Sequence, residues 1–130
     1  MTSAVTFFRA LADPTRWRIA RLVSGQALCV CELADILDMP QSSVSSHVQI
    51  IRKAGLLESE TCGKWTYFRI QPKHLTVFKT ILKQFPDDET HQLDSQRADI
   101  RLAERSSSCC PGPQKLARKR HPSSAAVQQS

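Results

Sequence analysis

One segment rich in aromatic and β-branched residues, Trp65-Thr66-Tyr67-Phe68-Arg69-Ile70, stands in a chain whose other apolar residues recur at helical spacing. It answers Leu57-Glu58-Ser59-Glu60 across a turn at Thr61-Cys62-Gly63-Lys64, so a single β-hairpin is expected over 56–70. An isolated hairpin is marginal in water, and the helices around it must supply the core. Four are expected ahead of it. The first, 4–11, has Val5, Phe8 and Leu11 as its apolar positions, with Phe7 a further candidate. Asp13-Pro14 then offers an N-cap and a first-turn proline to a helix over 14–23, with Trp17, Ile19, Ala20 and Val23 for burial and Ser24-Gly25-Gln26 as its end. A third helix over 30–38 buries Leu33, Ile36 and Leu37. After the connector Met39-Pro40-Gln41, Ser42 or Ser43 is the expected cap of a fourth, which turns Val44, Val48 and Ile51 inward and stops at Gly55.

Two turn-linked helices followed by a hairpin make a winged helix-turn-helix, mainly α with one small β-hairpin. Residues 1–85 are read as this DNA-binding and dimerisation domain. Residues 86–105 form a C-terminal helical extension after Pro86. Residues 106–130, made largely of Ser, Pro, Gln, Lys and Arg, are expected to be a disordered basic tail carrying the vicinal pair Cys109-Cys110. The net charge is +6, but Lys115, Arg118, Lys119 and Arg120 in the tail account for most of it. DNA binding must therefore rest on where charge is placed. The outer face of the fourth helix shows Ser42, Ser46, Gln49 and Lys53, flanked by Ser43, Ser45 and Arg52. In isolation such a face is ordinary solvated helix. Between a Met-Pro-Gln connector and a wing, small hydrogen-bonding side chains suit a helix that touches base edges of double-stranded DNA.

The apolar stretch 4–8 is too short for a signal-peptide core and runs straight into Arg9, and no apolar run approaches membrane-spanning length, so a soluble, cytoplasmic protein is expected. In that compartment five cysteines, an odd number, read as ligands or free thiols rather than as a disulfide framework. Cys29 and Cys31 lie in Leu28-Cys-Val-Cys-Glu-Leu33, at the mouth of the third helix. Either alone is ordinarily a small packing residue; the pair suits a soft, thiophilic ion. Residues two apart on a regular helix point about 200° apart. Chelation by both is therefore expected to disturb the first turn of the helix against which the reading helix packs. Cys62, in the wing turn, is expected to be an exposed free thiol, and His74, His91 and His121 to be solvated. Cys-x-Cys is not the Cys-x-x-Cys of thiol redox proteins. No paired carboxylates, phosphate loop or nucleophile–base set stands out, so no enzymatic activity is expected.

Five motifs in series, Ala10-Leu-Ala-Asp-Pro-Thr-Arg16, Leu28-Cys-Val-Cys-Glu-Leu33, Gln41-Ser-Ser-Val-Ser-Ser-His47, Ala54-Gly-Leu-Leu57 and Gly63-Lys-Trp-Thr-Tyr67, resemble the ArsR/SmtB family of metal-responsive repressors. The resemblance covers roughly 4–85. It implies a homodimeric repressor paired through the first helix and the helix after the wing, bound to an imperfect palindrome and released by its inducer. Position by position it implies DNA contacts from Gln41, Ser42, Ser45, Ser46 and His47, with Lys64 and Arg69 where the wing approaches the backbone; Gln49 joins them from the helix-face reading above. The arsenic-responsive branch carries Cys-Val-Cys-Asp-Leu-Cys. Here Cys29 and Cys31 match the first two thiols, and Ala34 stands at the third. Trivalent arsenic held by sulfur takes three thiolates, so the expected site is composite: Cys29 and Cys31 with Cys109 or Cys110, from the same subunit or the other. Cadmium or lead on the same four thiols is the runner-up, followed by organoarsenicals; a thiol redox switch is the other reading of these residues. The Asp-x-His site of the family's zinc sensors is absent, because Phe85 stands eleven residues after His74.

Overall fold

The computed structural model describes residues 3–107 and 111–116. Six helices and a three-stranded antiparallel sheet follow in the order α1 (Ala4–Leu11), α2 (Pro14–Gly25), β1 (Leu28–Cys29), α3 (Val30–Leu37), α4 (Gln41–Lys53), β2 (Leu57–Cys62), β3 (Trp65–Ile70), α5 (Pro72–Lys83) and α6 (Glu89–Ala103), with a 3-10 turn at Arg105–Ser107. None of the helices among the described residues is long and apolar enough to cross a membrane.

Local chemistry sets most of these boundaries. Asp13 caps α2 by accepting from the backbone N–H groups of Thr15 at 2.9 Å and Arg16 at 3.1 Å, and Pro14 follows at the first helical position. In α3 the C-cap Asp38 takes a left-handed conformation (φ 56°), and Asp38 and Met39 both donate to the Ala34 carbonyl. α4 starts at Gln41 with Pro40, not a serine, at the N-cap, and no side chain caps it. Pro40 accepts from Ser43 and Val44 through its own carbonyl, so Ser42 and Ser43 are already inside the helix.

The main core lies between α1–α4 and one face of the sheet, where Ile19, Val23, Leu28, Leu33, Val44, Val48, Ile51 and Phe68 are buried, and Phe78 of α5 closes it. α1 differs from its expected face. Phe7, Ala10 and Leu11, spaced three and four apart, point inward, while Val5 and Phe8 are 63% and 55% exposed. The sheet also differs from a plain hairpin. Its order is β1-β3-β2, with Cys29 opposite Tyr67 and Leu28 opposite Phe68. Two residues of β1 are too few for a readable alternation. The hairpin turn shrinks to Gly63-Lys64, because Cys62 pairs with Trp65 and ends β2 as a strand residue.

β3 is covered on both faces. Phe68 and Ile70 enter the main core; Tyr67, on the other face, forms a second cluster with Ala27, Cys29 and Leu116, against which Cys31, Cys62 and Trp65 pack. Leu116 lies within the stretch expected to be disordered. Residues 111–116 instead sit on this outer sheet face, because backbone donors there find side-chain acceptors on the wing. The helical extension is likewise integral. Arg18 of α2 makes two hydrogen bonds to the buried Asp94 of α6, at 3.0 and 2.9 Å, and Arg101 of α6 reaches Asp35 of α3 at 2.8 Å.

Candidate DNA-reading and thiol sites

α4 rests on α3 and α2 with Val44, Val48 and Ile51 fully buried, which turns its other face outward. Gln41, Ser42, Ser46, Arg52 and Lys53 are exposed, and Ser45 and Gln49 are half-buried. The Ser46 hydroxyl donates to the Ser42 carbonyl one turn back at 3.1 Å, leaving its oxygen lone pairs for an outside donor. His47 points differently. Its Nδ1 lies 3.9 Å from the Asp13 carboxylate and 3.5 Å from Arg16 Nη1, so the ring is turned toward the cap of α2 and any outward contact falls to Nε2. Asp13 itself is held below the ordinary carboxylate range, first by the Arg16 backbone N–H, against the opposing effect of burial.

The two basic wing residues have separate fates. Lys64 is exposed at the hairpin tip, beside Gly63, whose positive φ of 62° makes the tight turn. Arg69 is 1% exposed. Its Nε and Nη2 donate to Glu58 Oε2 at 2.9 and 2.5 Å, and its Nη1 donates to the Leu116 carbonyl. This corrects the expectation that Arg69 approaches a DNA phosphate: in β3 it shares a face with Tyr67, and that face is covered. Period-2 alternation signals only that Trp65, Tyr67 and Arg69 point the same way; that their face is covered comes from residues 111–116.

Cys29 precedes α3 as its N-cap, in extended backbone (φ −93°, ψ 170°), and Cys31 is the second helical residue. The 200° argument between two helical positions therefore does not apply. The structure puts a capping box there instead: Cys29 donates its backbone N–H to Glu32 Oε1 at 3.2 Å. Glu32 is fully buried and paired with Arg105, whose Nε and Nη2 reach its two oxygens at 2.8 and 2.7 Å while Nη2 also donates to the Ala27 carbonyl. Burial opposes the Arg105 charge, but Glu32 outweighs it and raises the guanidinium above its usual range. Cys29 is 2% exposed and Cys31 half-buried, and both pack in the Tyr67–Leu116 cluster; Ala34, by contrast, belongs to the main core.

Cys62 is not the exposed turn thiol expected. It is half-buried at the end of β2 and donates to Glu60 Oε2 at 3.1 Å. That hydrogen bond first, then burial, pushes its pKa up, which keeps it a thiol and a weak nucleophile. β3 stands between β2 and β1, and the pairing register offsets Cys62 from Cys29 by two residues. Strand spacings then put their α-carbons about 12 Å apart, too far for one ion. Among the described residues, no three His, Cys, Asp or Glu side chains gather as an ion site. Cys109 and Cys110 lie outside those residues. His74 and His91 are half-buried; His91 Nε2 is 3.8 Å from Asp87, and the His74 ring lies tilted beside that of Phe7 with centroids 5.7 Å apart, so neither is simply solvated.

Residues 13–59 match the profile of the family described as "Bacterial regulatory protein, arsR family". The chain is 36% identical over 98 residues to the arsenic resistance transcriptional regulator ArsR1 of Pseudomonas putida, covering 75% of each chain. It is 41% identical over 69 residues to the arsenical resistance operon repressor of Escherichia coli, covering 52% of this chain and 59% of that one. Its fold is similar to the homodimeric winged helix-turn-helix DNA-binding domain of a possible ArsR-family regulator from Mycobacterium bovis, with a TM-score of 0.55, 23% identity and coverage of 61% and 73%. The chain belongs to the ArsR family, as a DNA-binding transcriptional repressor with the winged helix-turn-helix architecture.

Proposed function

We propose that this repressor binds operator DNA as a homodimer and leaves it when trivalent arsenic is captured by Cys29, Cys31 and one tail thiol, Cys109 or Cys110. The observation that carries the reading is the anchoring of both chain segments that flank the tail thiols. On one side Arg105 clamps Glu32 of the α3 cap and stacks over the Tyr67 ring, 5.4 Å from its centroid. On the other side Gly112 donates to the Tyr67 hydroxyl at 2.7 Å, and Tyr67 is the strand partner of Cys29. Cys110 is two residues from Gly112 in sequence. A thiol tethered so closely acts at high effective concentration.

Capture would act on the reading helix through the cap. Bringing the Cys29 and Cys31 sulfurs onto one ion disturbs the Cys29–Glu32 capping box, which starts α3, and α3 is the scaffold under α4. The DNA-facing set is Gln41, Ser42, Ser45, Ser46 and Gln49, with Lys64 on a phosphate and His47 through Nε2. Gln41 to Gln49 would lie in the major groove and Lys64 would fix register. Dimerisation would use the exposed apolar side chains of α1 and α5, as the resemblance to a homodimeric neighbour supports.

X-ray absorption on the full chain loaded with arsenite tests the site: three sulfur neighbours around arsenic are expected, falling to two in Cys31→Ser. Parallel titrations of the operator complex with arsenite, cadmium and peroxide test the inducer. Equal operator affinity with and without arsenite would refute the reading. Release by cadmium alone would hand the same thiols to the runner-up, and release by peroxide alone to a redox switch.

A further inference from the structure

The sheet face opposite the main core holds Cys29, Tyr67, Trp65, Cys62, Glu60 and Arg69, and a peptide segment lies over it. Three kinds of contact hold residues 111–116 there. Glu60 accepts from the backbone N–H groups of Gln114 at 2.9 Å and Leu116 at 2.8 Å, one oxygen each. Gly112 donates to Tyr67, and Arg69 donates to the Leu116 carbonyl, so both ends of the segment are fastened. Leu116 is buried in the cluster that also buries Cys29. Gly112 is itself required: its φ is 97°, and a β-carbon added there would stand 2.8 Å from Arg105 Cδ, whose guanidinium is pinned by Glu32.

We propose that residues 111–116 are a latch over the Cys29 thiol, which a thiophilic ligand reaches only when this segment lifts transiently from the wing, its redocking on Tyr67 returning the tail thiols to the captured ion. The inference rests on Cys29 being a ligand, as argued above, but the latch has its own readout. A residue 2% exposed cannot meet a solute in solution without local opening, and Leu116, which shares its buried cluster, is the member that residues 111–116 carry away when they undock. Undocking breaks the contacts at Glu60, Tyr67 and Arg69 while the main core stays intact, because none of those groups belongs to it. The latch also joins the thiol face to both wing strands: Glu60 is in β2, and Tyr67 and Arg69 are in β3. Ligand entry and wing geometry thereby share one segment.

Two variants of the full chain weaken the latch differently: Gly112→Ala by strain and by crowding Arg105, Glu60→Gln by loss of the carboxylate that accepts both N–H groups. Residue-resolved alkylation by iodoacetamide, followed by mass spectrometry, is expected to show Cys29 labelled about tenfold faster in both, with far-UV circular dichroism unchanged. Arsenite should then release the operator complex correspondingly faster. Unchanged Cys29 labelling in both variants would overturn the latch. Faster labelling with an operator complex that ignores arsenite in wild type and variants alike would support the latch as a cover for the thiol, while refuting arsenic as inducer.

Discussion

Arg69 and Lys64 are both cations of the wing, yet they differ in what surrounds them. Lys64 is exposed at a turn, whereas Arg69 is sealed between Glu58 and the Leu116 carbonyl. Arg69→Met should lower unfolding free energy by about 2–3 kcal/mol in urea titration, because Glu58 loses a charged partner; operator affinity of the folded fraction should hold. Lys64→Ala should do the opposite, leaving the melting temperature alone and reducing the salt slope of operator binding by about 1. Glu60 predicts an acid response. Burial raises its pKa, but the backbone N–H groups of Gln114 and Leu116 and the Cys62 thiol outweigh this and hold it at about 2. The folded value is depressed, so the carboxylate's contribution is complete above its ordinary value of 4.5 and is lost as pH falls toward about 2. The stability difference between wild type and Glu60→Gln should therefore shrink across that window, and the Gln114 and Leu116 amide resonances should titrate near 2. A midpoint near 4.5 would mean that the carboxylate does not hold those groups in solution.

At the scale of elements, helices with a repeated apolar stripe were readable and their partners were not. Val44, Val48 and Ile51 announce the inner face of α4, and by subtraction its outer face, because burial follows the 3.6-residue period. The buried face of α1 is ambiguous in sequence because Val5, Phe8 and Leu11 make as regular a stripe as Phe7, Ala10 and Leu11, and only packing chooses between them. β1 escaped notice because its two residues become a strand only when β3 supplies hydrogen-bond partners. Gln41→Ala, at an exposed first-turn position, should weaken operator binding by about 1–3 kcal/mol in a gel-shift titration and leave thermal stability within experimental error. A loss of stability without a loss of affinity would assign Gln41 to the fold instead.

On the scale of the whole molecule, four of the seven large apolar side chains exposed among the described residues lie on α1, on α5 and just beyond it: Val5, Phe8, Val77 and Phe85, of which Phe8 and Phe85 line a cavity of about 560 Å³ with Leu11, Trp17 and Ile81. Water against such a surface is costly, and a second copy would remove it. On the proposed dimer, Phe8→Glu should give a monomer by sedimentation equilibrium and weaken operator binding in parallel, since two half-sites then act separately. The winged architecture, the outward face of α4 and the thiol pair at the start of α3 are all legible from local chemistry: periodicity, caps, turn residues and the Cys-Val-Cys string depend on neighbours a few positions away. What needed the folded chain was the far side of the wing. Whether Arg69 is sealed from solvent, whether Cys62 joins Cys29, and whether residues 111–116 dock depend on contacts between positions 38 to 56 apart. No local pattern encodes such contacts, because each partner is ordinary until the sheet brings it opposite the other.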